Sequence, residues 1–328
     1  MGYTNFPNGL TSFGIPLPGA MPAISGKWFF VNGASGSDSN KGTSIGKPLK
    51  TLSKAYALCT TAAGDGICIL SPDTGTSAST SVYESAAIDW TKCGITVFGV
   101  CAPTHFGMRA RIANAAAATG LAYIVDVQGH NNRFYNVQFA NWGADATALS
   151  AVKVSGQRNY FHNCYFVNAG YVAGVHLRDL WLTGSDNHFE DCSFGVRTTK
   201  TTGATRCNIM LNGDGSTTCA ETLFRNCRTY IYSEDNTQGA VRSYDANSCA
   251  GIILFKKCTF IAAPDSVAPL YAFIGTAPTP VNALICVEDC WRFNIGASGW
   301  SNKWAKLFVG AVGNVTNAAA GLSSYDAS

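Results

Sequence analysis

A six-residue motif that occurs six times constrains this chain more than any other feature. The copies are Phe134-Tyr-Asn-Val137-Gln-Phe139, Phe161-His-Asn-Cys164-Tyr-Phe166, Phe189-Glu-Asp-Cys192-Ser-Phe194, Phe224-Arg-Asn-Cys227-Arg-Thr229, Phe255-Lys-Lys-Cys258-Thr-Phe260 and Val287-Glu-Asp-Cys290-Trp-Arg292. Their fourth positions, 137, 164, 192, 227, 258 and 290, are separated by 27, 28, 35, 31 and 32 residues. A unit of this length that holds its pattern while its spacing wobbles is a stacked repeat, each copy burying its apolar face against the next.

Within the motif Cys164 and Phe166 are two apart, as are Cys192 and Phe194. Residues at that interval share one side of a strand and not of a helix. The flanks carry β-branched and aromatic runs such as Ile95-Thr-Val-Phe98 and Gly251-Ile-Ile-Leu-Phe255, broken by Gly, Asn and Asp. An antiparallel sandwich or propeller would show Asn-Gly or Asp-Gly turns at regular intervals, and Asn8-Gly9, Asn32-Gly33 and Asn212-Gly213 are not periodic. The expected fold is all-β, a single-stranded right-handed parallel β-helix. A Phe column (134, 161, 189, 224, 255), a Cys/Val column and an Asn/Asp column (Asn136, Asn163, Asp191, Asn226, Asp289) should climb it at the strand spacing.

Four regions follow: an extended, Pro-rich arm at 1–26, an amino-terminal cap at 27–62, the β-helix at 63–295, and a last rung or cap with a tail at 296–328. In the cap, Trp28-Phe-Phe-Val31 reads as a strand, and a helix is expected to open at Pro48 with Leu49, Leu52, Ala55, Tyr56 and Cys59 on one face. Such a helix covers the first open rung.

Phe30-Val-Asn-Gly-Ala-Ser-Gly-Ser-Asp-Ser-Asn-Lys-Gly-Thr43, then Lys47-Pro48-Leu-Lys-Thr51, resembles the amino-terminal cap of pectin-lyase-like β-helix proteins, and Gly64-Asp65 through Pro72 with Tyr83-Glu84 resembles their first rung. That likeness speaks to fold and not activity, since sugar-cleaving enzymes and inert virion proteins share it. The arm, Tyr3-Thr-Asn-Phe-Pro-Asn-Gly-Leu-Thr-Ser-Phe-Gly-Ile-Pro16, resembles the start of structural proteins of tailed bacteriophages.

Composition narrows the function. Charged residues are 13% of the chain with net charge +3 and no basic block, which argues against nucleic acid or an anionic membrane as partner. No apolar stretch reaches the length of a spanning helix and no secretory signal opens the chain, so synthesis and folding in a host cytoplasm are expected. Thirteen cysteines then read as reduced thiols packed in the core. Cys286 and Cys290 form the one close pair, with no second pair or His nearby, so no zinc site and no other metal or cofactor is expected.

Glycan cleavage would need clustered acids, yet Asp126, Asp145, Asp179, Asp186, Glu190, Asp191, Asp214 and Glu221 look scattered. His176-Leu-Arg178-Asp179 and His188 with Glu190 are the nearest candidates, read as polar rung corners. The expectation is therefore a chain that is no enzyme: a phage capsid decoration or head-fibre-like protein on the virion surface. Its arm would dock on the major capsid protein or another virion protein through Tyr3, Phe6, Pro7, Asn8, Phe13, Ile15, Pro16 and Leu17. A homo-oligomer, a trimer by preference, and a glycan ligand accompany this reading. The alternative is a tailspike or host-glycan-binding protein with depolymerase activity.

Overall fold

The computed structural model describes residues 11–12, 15–16, 24–71, 81–102, 104, 106–107, 110–212, 219–245, 248–275, 283–296, 300–301 and 307–310. Its strands form three parallel sheets of ten, eight and seven strands among the described residues. One coil passes through Arg133–Tyr135 in the ten-stranded sheet, Gln138–Asn141 in the eight-stranded sheet and Val152–Val154 in the seven-stranded sheet. The chain then returns to the first sheet at Tyr160–His162, which pairs in parallel with Arg133–Tyr135. The fold is the expected parallel β-helix.

Its interior is built from the columns of the motif. Phe134, Phe161, Phe189, Phe224 and Phe255 stack with successive ring centroids 4.8, 4.8, 4.8 and 4.7 Å apart. Their spacing is the strand spacing itself, so each ring covers the next and water reaches none of them. Beside them Cys164, Cys192, Cys227 and Cys258 are buried free thiols. Each Sγ donates to a carbonyl one coil earlier, Cys192 to Phe161 at 3.4 Å and Cys227 to Phe189 at 3.4 Å. A thiol fits this column because it fills a small apolar slot and still offers a weak donor; Val137 fills the same slot without one.

The Asn/Asp column sits where the chain turns from the ten-stranded into the eight-stranded sheet. Asn136, Asn163, Asp191, Asn226 and Asp289 have φ of 56, 48, 54, 52 and 51°. Asn and Asp tolerate this left-handed conformation best among residues with a Cβ, which explains their recurrence. Lys257 occupies the same corner at φ 55°. The opposite corner carries a second ladder that the motif does not contain. Asn132, Asn159 and Asn187 are buried, and Asn159 Oδ1 accepts from Asn132 N while Asn187 Oδ1 accepts from Asn159 N, both at 3.0 Å.

The cap differs from expectation in its helix start. The helix spans Leu52–Leu58, and Thr51 is its N-cap, accepting from Lys54 N at 3.2 Å. Leu49 bridges Val31 as an extended residue, which holds Pro48 and Leu49 out of the helix. The buried Glu84 carboxylate accepts from Leu52 N at 2.7 Å, placing negative charge against the helix start. In the arm, Thr11–Ser12 pairs antiparallel with Ile15–Pro16.

Candidate functional site

The outer face of the seven-stranded sheet gathers the chemistry. Its strands alternate, with Ile88, Trp90, Val125, Val127, Val152, Val154, Leu180 and Leu182 buried in the core. The residues between them therefore point outwards: Asp89, Asp126, Lys153 and Trp181. Strand pairing sets these four side by side, with Asp89 opposite Asp126, Asp126 opposite Lys153, and Lys153 opposite Trp181. In-register neighbours have Cα atoms about 4.7–4.9 Å apart, so two carboxylates and an ammonium share one short row.

Three donors converge on Asp126. Ser155 Oγ donates to Oδ1 at 2.7 Å, Gln128 Nε2 to Oδ2 at 3.3 Å, and Lys153 Nζ lies 3.2 Å from Oδ2. The carboxylate is 3% exposed, so these contacts act largely out of bulk water and fix its orientation. Asp89 is exposed, and Tyr123 OH donates to its Oδ1 at 3.1 Å. Burial, with the bond to Asp89 and the charges of Asp89 and Asp126, pushes the Tyr123 phenol up to about 12. Tyr123 thus stays a donor at any physiological pH. Lys153 Nζ sits 5.1 Å from the Trp181 ring and 6.0 Å from that of Tyr123, and the Arg178 guanidinium lies 3.9 Å from Trp181. A flat ring flanked by cations beside a carboxylate pair suits a sugar, whose apolar ring face packs on an aromatic plane while its hydroxyls meet the charges.

Of the residues singled out in the sequence, Asp126 alone belongs to this row. His176 is in a turn at φ 60°, hydrogen-bonded to Thr205 Oγ1 at 2.6 Å and to Arg242, and the strand begins only at Arg178. Asp179 is buried, bonded to Asn168 N at 2.7 Å and Asn208 Nδ2 at 2.8 Å, so His176 and Asp179 form no unit. His188 and Glu190 lie on the ten-stranded sheet. There Tyr160 OH donates to Glu190 Oε2 at 2.6 Å and Arg225 Nε is 3.4 Å from Oε1. Those contacts, led by the Tyr160 bond, hold the Glu190 carboxyl below its usual range, while burial lowers His188. Among the described residues no three His, Cys, Asp or Glu side chains gather as metal ligands would. Ile15 and Pro16 of the arm lie in its strand pair; Tyr3, Phe6, Pro7, Asn8, Phe13 and Leu17 lie outside the described residues.

Asp89, Lys153 and Trp181 went unnoticed in the sequence, although a signal marks them. Val125-Asp-Val127, Val152-Lys-Val154 and Leu180-Trp-Leu182 are apolar–x–apolar triplets whose centres stand 27 and 28 residues apart, the same spacings as the first copies of the motif.

No family model and no curated protein matches the chain. Among solved structures, the pectin methylesterase from Aspergillus niger matches in two deglycosylated forms at TM-scores of 0.55 and 0.57 and 15% identity. The alignments cover 89% and 91% of this chain and 88% and 89% of the enzyme. A pectate lyase matches at TM-score 0.49 and 14% identity over 88% of this chain and 75% of its own. The likeness is one of fold, that of right-handed parallel β-helix proteins of the pectin-lyase-like type. It also corrects the expectation that the chain is no enzyme: the matched structures of this fold are carbohydrate-active enzymes, and Asp126, one of the acids that looked scattered, stands in register with Asp89.

Proposed function

We propose that the chain is a virion-borne glycan depolymerase that cuts a polysaccharide lying along the outer face of its seven-stranded sheet. The observation that carries this reading is the in-register pair of Asp89 and Asp126 with Lys153 on the next strand. Asp126, fixed by Ser155, Gln128 and Lys153, is the nucleophile. Its oxygen attacks the anomeric carbon as the bond to the leaving oxygen breaks, and Asp89, which its exposure lets take up a proton from solvent, delivers that proton to the leaving oxygen. Asp89 then takes a proton from the water that releases the glycosyl group. Two carboxyl groups about 5–5.5 Å apart suit this two-step retaining course, and neighbouring in-register strands favour a close pair over one wide enough to hold a water between. Trp181 and Tyr123 hold the sugar.

The virion half of the proposal is supported by the arm sequence, which supplies the anchor toward a capsid or other virion protein; trimeric assembly belongs to the same reading. The chemistry is tested by incubating the purified chain with a panel of bacterial-surface polysaccharides and measuring new reducing ends. Cleavage is expected with at least one, and Asp126→Asn should lower it by at least about 100-fold. Turnover that survives both Asp126→Asn and Asp89→Asn would place the chemistry elsewhere, and no turnover on any substrate would sink the depolymerase reading.

A further inference from the structure

Beyond Trp181 the outward row of the seven-stranded sheet continues in register through Met210 to Arg242. His176, in the turn before strand Arg178–Leu182, draws two guanidinium groups together. Arg178 Nη1 donates to the His176 carbonyl at 3.0 Å, and Arg242 Nη1 donates to His176 Nδ1 and to Thr205 O. The Arg178 guanidinium also lies 3.9 Å from the Trp181 ring, so the pair adjoins the proposed glycan face. Among the described residues no carboxylate pairs with either arginine. The titratable groups that face Arg178 are Cys207, Tyr244 and Arg242: a thiol that burial pushes up to about 12, a phenol and a like charge. Asp179, next in the chain, spends its oxygens on Asn168 and Asn208.

The groups left unmet here are all donors. Arg178 is 6% exposed, yet its Nε has no hydrogen-bond partner, and the buried Nε of Arg242 has none either. A guanidinium cannot accept, so the bond from Arg242 places the lone pair on His176 Nδ1 and the ring proton on Nε2. Burial, with the charges of Arg242 and Arg178, lowers His176 and keeps its ring neutral. Two like charges and three N–H donors call for an anion with several oxygens. A water meets a donor and leaves both charges unanswered, while a carboxylate or a sulfate ester answers one. A phosphate monoester carries about two negative charges and three acceptor oxygens, matching the cluster in both respects. His176 and Arg242 are part-exposed and Tyr244 is exposed, so the cluster opens at the surface and the ligand needs no closed cavity. We propose that Arg178, Arg242 and His176 bind a phosphate ester carried by the sugar on Trp181, which makes the substrate of this face a phosphorylated polysaccharide. The proposal rests on the glycan reading of the Asp89–Asp126 face and names its substrate class.

The test is a calorimetric binding series on the full chain at low salt, with glucose 6-phosphate, glucose 1-phosphate, glucose 6-sulfate, glucuronate and glucose as probes. At least one phosphorylated sugar should bind about tenfold or more tightly than the sulfate, the carboxylate and the neutral sugar. Inorganic phosphate should compete with it. Arg242→Gln, which removes one charge from a part-exposed side chain and leaves Asp89, Asp126 and Trp181 in place, should abolish the preference. Its unfolding midpoint is measured alongside; should it not fold, Arg242→Lys, which keeps the charge and loses the fork, should weaken phosphate-sugar binding by about threefold or more. Equal binding of phosphorylated and carboxylated sugars overturns the proposal, as does failure of inorganic phosphate to compete or a preference untouched in a folded Arg242 variant. Asp126→Asn should stop cleavage and leave this binding intact. Selective binding without turnover in the unmodified chain would therefore overturn the hydrolytic mechanism and uphold the cluster, whereas turnover with no phosphate preference would do the reverse.

Discussion

Phe224 lies flat on Phe255, with ring centroids 4.7 Å apart and ring planes inclined by 6°. Phe189 covers its other face at 4.8 Å, so Phe224 is enclosed along the axis by its own kind and is fully buried. Phe224→Ala removes a ring that two neighbours cannot close over without shifting whole coils. The variant should lose about 3–5 kcal/mol in chemical denaturation. An unchanged midpoint would contradict the packing described.

The Asn159 side chain bridges three coils. Its Oδ1 accepts from Asn132 N at 3.0 Å and its Nδ2 donates to Gly129 O at 3.0 Å, while Asn187 Oδ1 accepts from Asn159 N. Asn159→Ala strands a buried donor and a buried acceptor of the backbone, each costing about 1–3 kcal/mol. A loss of roughly 2–4 kcal/mol is expected by urea denaturation. A cost under about 1 kcal/mol would mean that solvent reaches this corner and satisfies those groups.

Trp181 supplies the plane on the proposed glycan face, with Lys153 and Arg178 over its ring. It touches the sugar and not the bond that breaks, so its loss removes binding shared by ground and transition states. Trp181→Ala should raise KM by about tenfold on the best polysaccharide while kcat changes less than about threefold. The reverse pattern, a collapse of kcat with KM unchanged, would mean that Trp181 orients the carboxylates rather than the substrate.

The motif made the fold legible because its six residues span one corner. Phe161, Asn163, Cys164 and Phe166 fall on adjoining strands and the turn between them, so the ring stack, the left-handed Asn and the thiol column all repeat at fixed short offsets. The site offers no such contiguity. Asp89, Asp126, Lys153 and Trp181 come from four successive coils, and only pairing across the sheet brings them together. Asp89 and Asp126 are 37 residues apart against the separations of 27 and 28 that follow, because the connection in that coil is longer. The Asn132–Asn159–Asn187 ladder was hidden for another reason. Each Asn follows a polar loop, where that residue type is common, and only burial sets these three apart.

Asp179 sets a pH dependence whose sign is opposite to that of a salt-bridged carboxylate. Burial raises its carboxyl from 3.8 to about 6, outweighing the nearby Arg206 charge and the hydrogen bonds from Asn208 and Asn168, which pull it down. Below about pH 4 the group is protonated in both folded and unfolded chains and costs nothing. Between about pH 4 and 6 the unfolded chain releases the proton while the folded chain retains it, so stability falls as pH rises. Above about 6 both forms are ionised and the penalty is complete, on the order of 3 kcal/mol for a shift of about two units. Asp179→Asn lacks this titration. The stability of the unmodified chain minus that of the variant should therefore decline by a few kcal/mol from pH 4 to pH 7, in urea denaturation at each pH; the subtraction removes the other titrating groups. A difference that rises over this interval would mean that the Arg206 charge and the hydrogen bonds, rather than burial, govern the carboxyl.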